Sequence, residues 1–184
     1  MKKILNELVE RELREFKPEE LKILYMECGN FPTIRAKCNE ELSFAICDTR
    51  GVLHGVFLLT SKDIPATITF PQPEEEAPSI RRNLQKEDID YRGKGCEILY
   101  IRIPQNIQDL YLESFMLKHL YSRIANCCKD GKPVFDYIWS VSLNNWTSFV
   151  SDVFIGENTE VLLSESEKAE FFYCKIKREE LYNP

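Results

Sequence analysis

By residue type and spacing, the string best suited to chemistry is Tyr91-Arg92-Gly93-Lys94-Gly95. Its two glycines let backbone N–H groups approach an anion, and Arg92 and Lys94 add positive charge, which is the make-up of a phosphate-cradling loop. Such a loop works when it follows a strand and opens a helix. Here it precedes Glu97-Ile98-Leu99-Tyr100-Ile101-Arg102-Ile103, which reads as a strand. The string is therefore expected to be the turn that launches that strand. The nearby carboxylates Asp88, Asp90 and Glu97 match no hard-cation spacing, and no metal site is expected. The seven cysteines include no C-x-x-C pair, and the only histidines are His54 and His119. Reduced thiols filling a core are the expectation for a set like this. No G-x-S-x-G, H-E-x-x-H or Walker string occurs.

Composition narrows the class. The chain has 184 residues, 43% hydrophobic and 29% charged, which suits one globular domain with a core of its own. A net charge of -6 speaks against a nucleic-acid surface, because phosphate binding needs clustered Lys and Arg. Met1-Lys2-Lys3 is followed by Asn6, Glu7, Glu10 and Glu12 rather than by an apolar run, and no stretch is apolar enough to span a bilayer. A cytoplasmic protein is expected, with neither nucleic acid nor membrane as partner; the oligomeric state stays open.

The elements that must position these residues follow from periodicity. Lys2–Phe16 carries a helical stripe of Ile4, Leu5, Leu8, Val9 and Leu13. Pro18 breaks it and opens a second helix through Leu21, Leu24, Tyr25 and Cys28, with Gly29 as its stop. Leu42–Cys47, the turn Asp48–Gly51 and Val52–Thr60 make a hairpin, in which Gly55 marks a bulge or a close contact. Residues 61–95 form a Pro/Glu-rich insertion, where only Ala66–Phe70 reads as a strand. Strand Glu97–Ile103, a helix from Asp109 to about Cys128 and strand Val134–Leu143 then make a parallel strand–helix–strand unit. In that helix Leu110, Leu117, Tyr121, Ile124 and Cys128 form one face, widened by Phe115 and Met116. A short helix capped at Asn144 or Asn145 runs to Gly156, and Val161–Leu163 with Ala169–Lys177 close as an antiparallel pair.

This order resembles the GNAT superfamily of acyl-CoA-dependent N-acyltransferases, loosely over Met1–Gly29 and better over Leu42–Thr60 and Glu97–Arg178. The resemblance implies a mixed α/β (α+β) fold in residues 1–184 as a single domain. A central antiparallel hairpin would sit beside the parallel unit, with helices on both faces. It also implies acetyl-CoA or another acyl-CoA as cofactor, lying where the central strands splay, and direct acyl transfer to a small-molecule or protein amine. Ile101 and Ile103 would then lie along the pantetheine, and Gln105, Asn106 and Gln108 at the pyrophosphate. Asn145 matches the first residue of the family's N-x-x-A-x-x-x-Y pattern. Candidate bases are Glu97, Tyr100, Asp136 and Tyr137, of which Glu97 and Tyr137 are preferred; His54 and His119 have no recognisable partners.

Two departures qualify this. The family's Q/R-x-x-G-x-G/A loop is replaced by Pro104-Gln105-Asn106-Ile107-Gln108-Asp109-Leu110, which lacks glycine, Arg and Lys, and Asp109 sits where it can cap the helix itself. Asp152 stands where the family has a tyrosine that protonates the leaving thiolate. A GNAT-like binding or regulatory domain without CoA chemistry is the alternative implied by those losses.

Overall fold

Backbone pairing decides the first element against its own periodicity. A computed structural model describes residues 8–27, 36–65, 67–69, 83–85, 92–102, 110–142, 159–163 and 170–178. Within Lys2–Phe16 the described part is not helical. Leu8–Glu12 is strand β1, followed by one 3-10 turn over Leu13–Glu15. β1 pairs antiparallel with β2 (Phe44–Asp48), from Leu8↔Asp48 to Glu12↔Phe44, and Leu13 N–H donates to Ser43 O at 3.1 Å. Val9 in the strand stays 46% exposed while Leu13 in the turn after it is fully buried, so the helical stripe is split between surface and core. Tertiary pairing has overridden a weak local preference.

The chain divides into two compact units. The first comprises Met1–Thr60 with Ile98–Met116. Its strand order is β1-β2-β3-β6, with β3 spanning Leu53–Ser61 and β6 spanning Gly95–Arg102, of which Ile98–Arg102 belong here. Helix α1 (Pro18–Glu27) begins as expected, with proline in its first turn. Lys17 N–H donates to Glu20 Oε2 at 2.8 Å, the backbone half of a capping box. Leu24 of α1 joins Leu13, Ala45, Cys47, Val56 and Leu58 in the core, with Leu99 and Tyr100 of β6 packed against it. Every residue of β2 is buried, the mark of an interior strand.

The β2–β3 hairpin is the expected one, and Asp48 organises its turn. Oδ1 accepts from Arg50 N and Val52 N, each at 2.9 Å, and Oδ2 accepts from Arg50 Nη2 at 2.7 Å. Gly51, at φ 82°, supplies the left-handed residue that a three-residue hairpin loop needs. The register steps from Ile46↔Gly55 to Cys47↔Leu53, so His54 is the extra residue of a bulge. Gly55 is also a close contact: a Cβ there would lie 3.1 Å from the Phe57 ring and 3.2 Å from Met116 Sδ.

The second unit comprises Ser61–Glu97 with Leu117–Pro184. Its principal strand order is β6-β9-β11-β10, with β9 at Tyr137–Ser142, β10 at Thr159–Leu163 and β11 at Glu170–Lys175. β6 and β9 pair in parallel over Gly95↔Tyr137, Cys96↔Ile138 and Glu97↔Trp139. β11 is antiparallel to both β9 and β10. The crossover is helix α2 (Leu110–Ala125), three residues shorter at its end than expected. A two-residue turn with Asp130 at φ 52° and Gly131 at φ 72° instead folds β7 (Cys128–Lys129) onto β8 (Lys132–Pro133). Leu117, Leu120 and Ile124 are buried at helical spacing, whereas Phe115, expected to widen the apolar face, is exposed. β9 starts at Tyr137 rather than Val134, and Tyr137–Ser140 are buried on both faces rather than alternating. The expected strand in Ala66–Phe70 is β4 (Thr67–Thr69), and it has an unforeseen partner in β5 (Asn83–Gln85). The helix expected from Asn144 to Gly156 lies outside the described residues.

The Arg50 guanidinium, with the Val52 and Arg50 amides, holds the Asp48 carboxyl down at about 2 from an ordinary 3.8. A carboxyl depressed on folding contributes stability that is complete above its unfolded value and is lost as pH falls through the folded one. Acid titration followed by circular dichroism should therefore show stability falling between about pH 4 and pH 2. Asp48→Asn should be less stable at neutral pH and lose part of that acid dependence; an unchanged acid limb would contradict the assignment.

Candidate active site

The launching of β6 shows what the Tyr91–Gly95 string does. Gly93 takes φ 98°, and a Cβ there would fall 2.0 Å from Asp136 Oδ2. Lys94 N–H donates to that same Oδ2 at 2.9 Å, and Gly95 N–H donates to Asp63 Oδ1 at 2.8 Å. The anions this loop holds are thus two carboxylates of its own chain. Phosphate is not the ligand those amides serve, and the string is the expected turn. Asp136 also accepts an ion pair from Arg178, whose Nη1 lies 3.5 Å from Oδ1, and Arg178 Nη2 donates to Phe135 O. Asp136 is thereby a structural clamp at the β9 entrance.

Lys62, Asp63 and Ile64, which follow β3, run against this same point. Lys62 N–H donates to Gly95 O at 3.1 Å, and Asp63 takes the Gly95 amide. Trp139 Nε1–H donates to Lys62 O at 2.7 Å, and Ile64 N–H donates to the Tyr137 hydroxyl at 3.2 Å. Both β9 aromatics are fully buried, and each has its polar tip on this segment's backbone, as buried Tyr and Trp require. Gly95 has to lack a side chain: a Cβ would sit 2.5 Å from the Tyr137 ring and 2.7 Å from Lys62 O.

Two of the sequence-derived catalytic candidates lie on the β6–β9 ladder. Glu97 is the last residue of the parallel ladder, opposite Trp139. Its Oε2 is sealed from solvent and makes no aligned hydrogen bond, but the Lys62 ammonium stands 3.0 Å away. That contact is an ion pair held by distance rather than by angle. The same ammonium lies 5.2 Å from the Trp139 ring centroid, inside cation–π range. Tyr137 lies at the other end of the ladder, 5.6 Å from the Tyr173 ring. Burial pushes its phenol up, with the Ile64 amide pulling the other way. The phenol thus stays protonated at neutral pH, and the upward shift makes it a weaker acid than an exposed tyrosine.

The remaining candidates are scattered. Tyr100 packs on the first unit's core, and Ile101 is half-buried in β6. His54 Nε2 lies 3.6 Å from Asp48 Oδ2 at the hairpin, and His119 is half-buried on α2. Ile103, Gln105, Asn106, Gln108, Asp109, Asn145 and Asp152 lie outside the described residues. Burial pushes the Cys47, Cys96 and Cys127 thiols up, which disfavours the nucleophilic thiolate. Among the described residues no group of three or more Cys, His, Asp or Glu side chains can hold a metal, and no helix is long and apolar enough to cross a membrane. Lys62 was not legible as a site residue. It stands at the mouth of an insertion, 35 positions before Glu97, and no spacing rule joins the two.

No family model matches the chain, and no curated protein matches it in sequence. Among solved structures it is similar to AtaTR bound with AcCoA, at 13% identity and TM-score 0.44, over 96% of this chain and 98% of that one. It is similar to NAA60 of Arabidopsis thaliana in complex with acetyl-CoA, at 9% identity and TM-score 0.47, over 91% and 98%. It is similar also to the GphF GNAT-like decarboxylase in complex with isobutyryl-CoA, at 10% identity and TM-score 0.49, over 92% and 99%. With these scores below 0.5, functional weight falls on the strand order and the side chains.

Gly95→Ala should cost about 1–3 kcal/mol, because the methyl meets backbone as well as a ring and neither can yield cheaply. Tyr137→Phe removes the hydroxyl that accepts from the Ile64 amide and should cost about 1 kcal/mol. Urea denaturation measures both; losses within about 0.5 kcal/mol, as for ordinary surface changes, would show that the segment is not clamped as described.

Proposed function

We propose that this chain is a divergent acyl-CoA-dependent N-acyltransferase acting on a small-molecule or protein amine by direct transfer. The supporting observation is the parallel β6–α2–β9 unit, with antiparallel β11 and β10 outside β9 and with β3, β2 and β1 following β6 in the first unit. This is the order that the sequence resemblance implies. The carboxylate of Glu97 closes the ladder and is already beside an amine, which is the juxtaposition an N-acyl transfer needs.

The fit to a coenzyme is uneven. Ile101 lies on β6, and a strand offers amides and carbonyls to pair with pantetheine. The N-terminus of α2 is a poor pyrophosphate site. Leu110 opens the helix, Asp109 directly precedes it, and Pro104–Asp109 supplies no cation. Two unit charges 4 Å apart cost about 4 kcal/mol at an effective dielectric near 20. In this reading Ile101 and Ile103 flank the pantetheine, and Gln105, Asn106, Gln108 and Asn145 offer hydrogen bonds in place of charge. An acyl-CoA brings an activated thioester, and the chain's part is to orient the amine and take its proton at Glu97. Tyr137 serves as the positioning phenol behind the ladder. The second reading, a non-catalytic domain, draws on one observation: the Glu97 carboxylate is already engaged by Lys62.

Acetyl-CoA at about a hundred times its Kd should add about 2.7 kcal/mol of stability, a rise of about 5–10 °C in Tm for a chain of this size. No shift at millimolar acetyl-CoA would contradict the proposal. Asp109→Asn should tighten binding by about tenfold or more, by removing the like charge; unchanged or weaker binding would refute the repulsion argument.

A further inference from the structure

The amine nearest to Glu97 belongs to the protein itself. Lys62 Nζ stands 3.0 Å from Glu97 Oε2 and 5.2 Å from the Trp139 ring centroid, and the Lys62 side chain is 49% exposed. Glu97 is only 14% exposed. Its Oε2 is closed to water and faces this ammonium. The backbone of Lys62 is fixed from two sides, by Trp139 Nε1–H on its carbonyl at 2.7 Å and by its own N–H on Gly95 O at 3.1 Å. A flexible side chain on a clamped backbone, with a buried carboxylate on one side and solvent on the other, meets the requirements of an acyl acceptor.

We infer that Lys62 is a self-acylation site, its ε-amine accepting an acyl group from a thioester with Glu97 taking the proton. The inference rests on the acyl-CoA reading for its donor. The Lys62 ammonium loses one proton to solvent, the freed lone pair attacks the thioester carbonyl carbon, and Glu97 takes the second proton from the attacking nitrogen. The C–N bond forms, the C–S bond breaks and the sulfur leaves as a thiolate. Glu97 passes that second proton to the thiolate, and the first has already gone to solvent. The products are one amide, one thiol and one released proton, with no change of oxidation state. Acylation removes the lysine charge, so Glu97 Oε2 loses its counter-ion and the cation over Trp139 disappears. The modification therefore alters the candidate site itself: the carboxylate is released for an incoming amine, while the acylated side chain stays tethered beside it.

The test is peptide mapping by mass spectrometry after timed exposure of the full chain to acetyl-CoA and, separately, to S-acetyl-N-acetylcysteamine, which carries the thioester without a nucleotide. Lys62 should acylate at least about tenfold faster than the exposed Lys129 and Lys132, which serve as internal controls, and Glu97→Gln should abolish that preference without changing the controls. Labelling of Lys62 no faster than that of Lys129 and Lys132 with either thioester would overturn the inference. Tm read on the same samples separates the two claims. A coenzyme-induced rise without Lys62 preference sinks the inference alone. Lys62 preference from the small thioester with no coenzyme-induced rise upholds the inference and sinks the coenzyme reading.

Discussion

One glycine, Gly95, carries the arrangement on which the second unit depends. Its N–H goes to Asp63, its carbonyl receives Lys62 N–H, and its missing side chain leaves room for the Tyr137 ring. From it the parallel ladder begins, and two residues later the ladder has placed Glu97 opposite Trp139. Because Trp139 and Tyr137 each bond to the Lys62–Ile64 backbone, the segment leaving β3 is fixed by the strand it lies against. The carboxylate, the amine and the indole are thus set by main-chain geometry and not by their own side-chain preferences. That is the order of causes expected where a site is built on a rigid scaffold.

Among the described residues one polar pattern recurs. Loop amides are given to carboxylates of the same chain: Asp48 in the hairpin, Asp63 and Asp136 at the entrance to β6. Each satisfies donors that would otherwise be left open in a turn, and Asp48 and Asp136 are in addition paired with arginines, Arg50 and Arg178. An acidic protein with few glycines has in this way turned its anion-holding loops inward.

Much of the architecture was legible in sequence because it rests on local rules. The Asp48–Gly51 turn, the proline that opens α1, the apolar spacing of α2 and the antiparallel pair that closes the sheet are all set by neighbours in the chain. The failures share a different cause. Lys2–Phe16 has a helical stripe, but β2 pairs with Leu8–Glu12 along its whole length, and no local pattern reports that pairing. β5 escaped because Asn83–Gln85 has no alternation to show. Of the candidate site, Glu97 and Tyr137 were legible as residues of the central strands, whereas Lys62 is brought to Glu97 only by the clasp at Gly95. The string Tyr91–Gly95 had the composition of an anion loop and does bind anions, though they are side chains of its own.

The claim that an acyl-CoA is taken along β6 is tested most directly by hydrogen–deuterium exchange with and without acetyl-CoA. The account predicts that amides in Ile98–Arg102 exchange more slowly in the presence of the coenzyme, while the β2–β3 hairpin is unaffected. Unchanged exchange throughout β6 at saturating acetyl-CoA would contradict it.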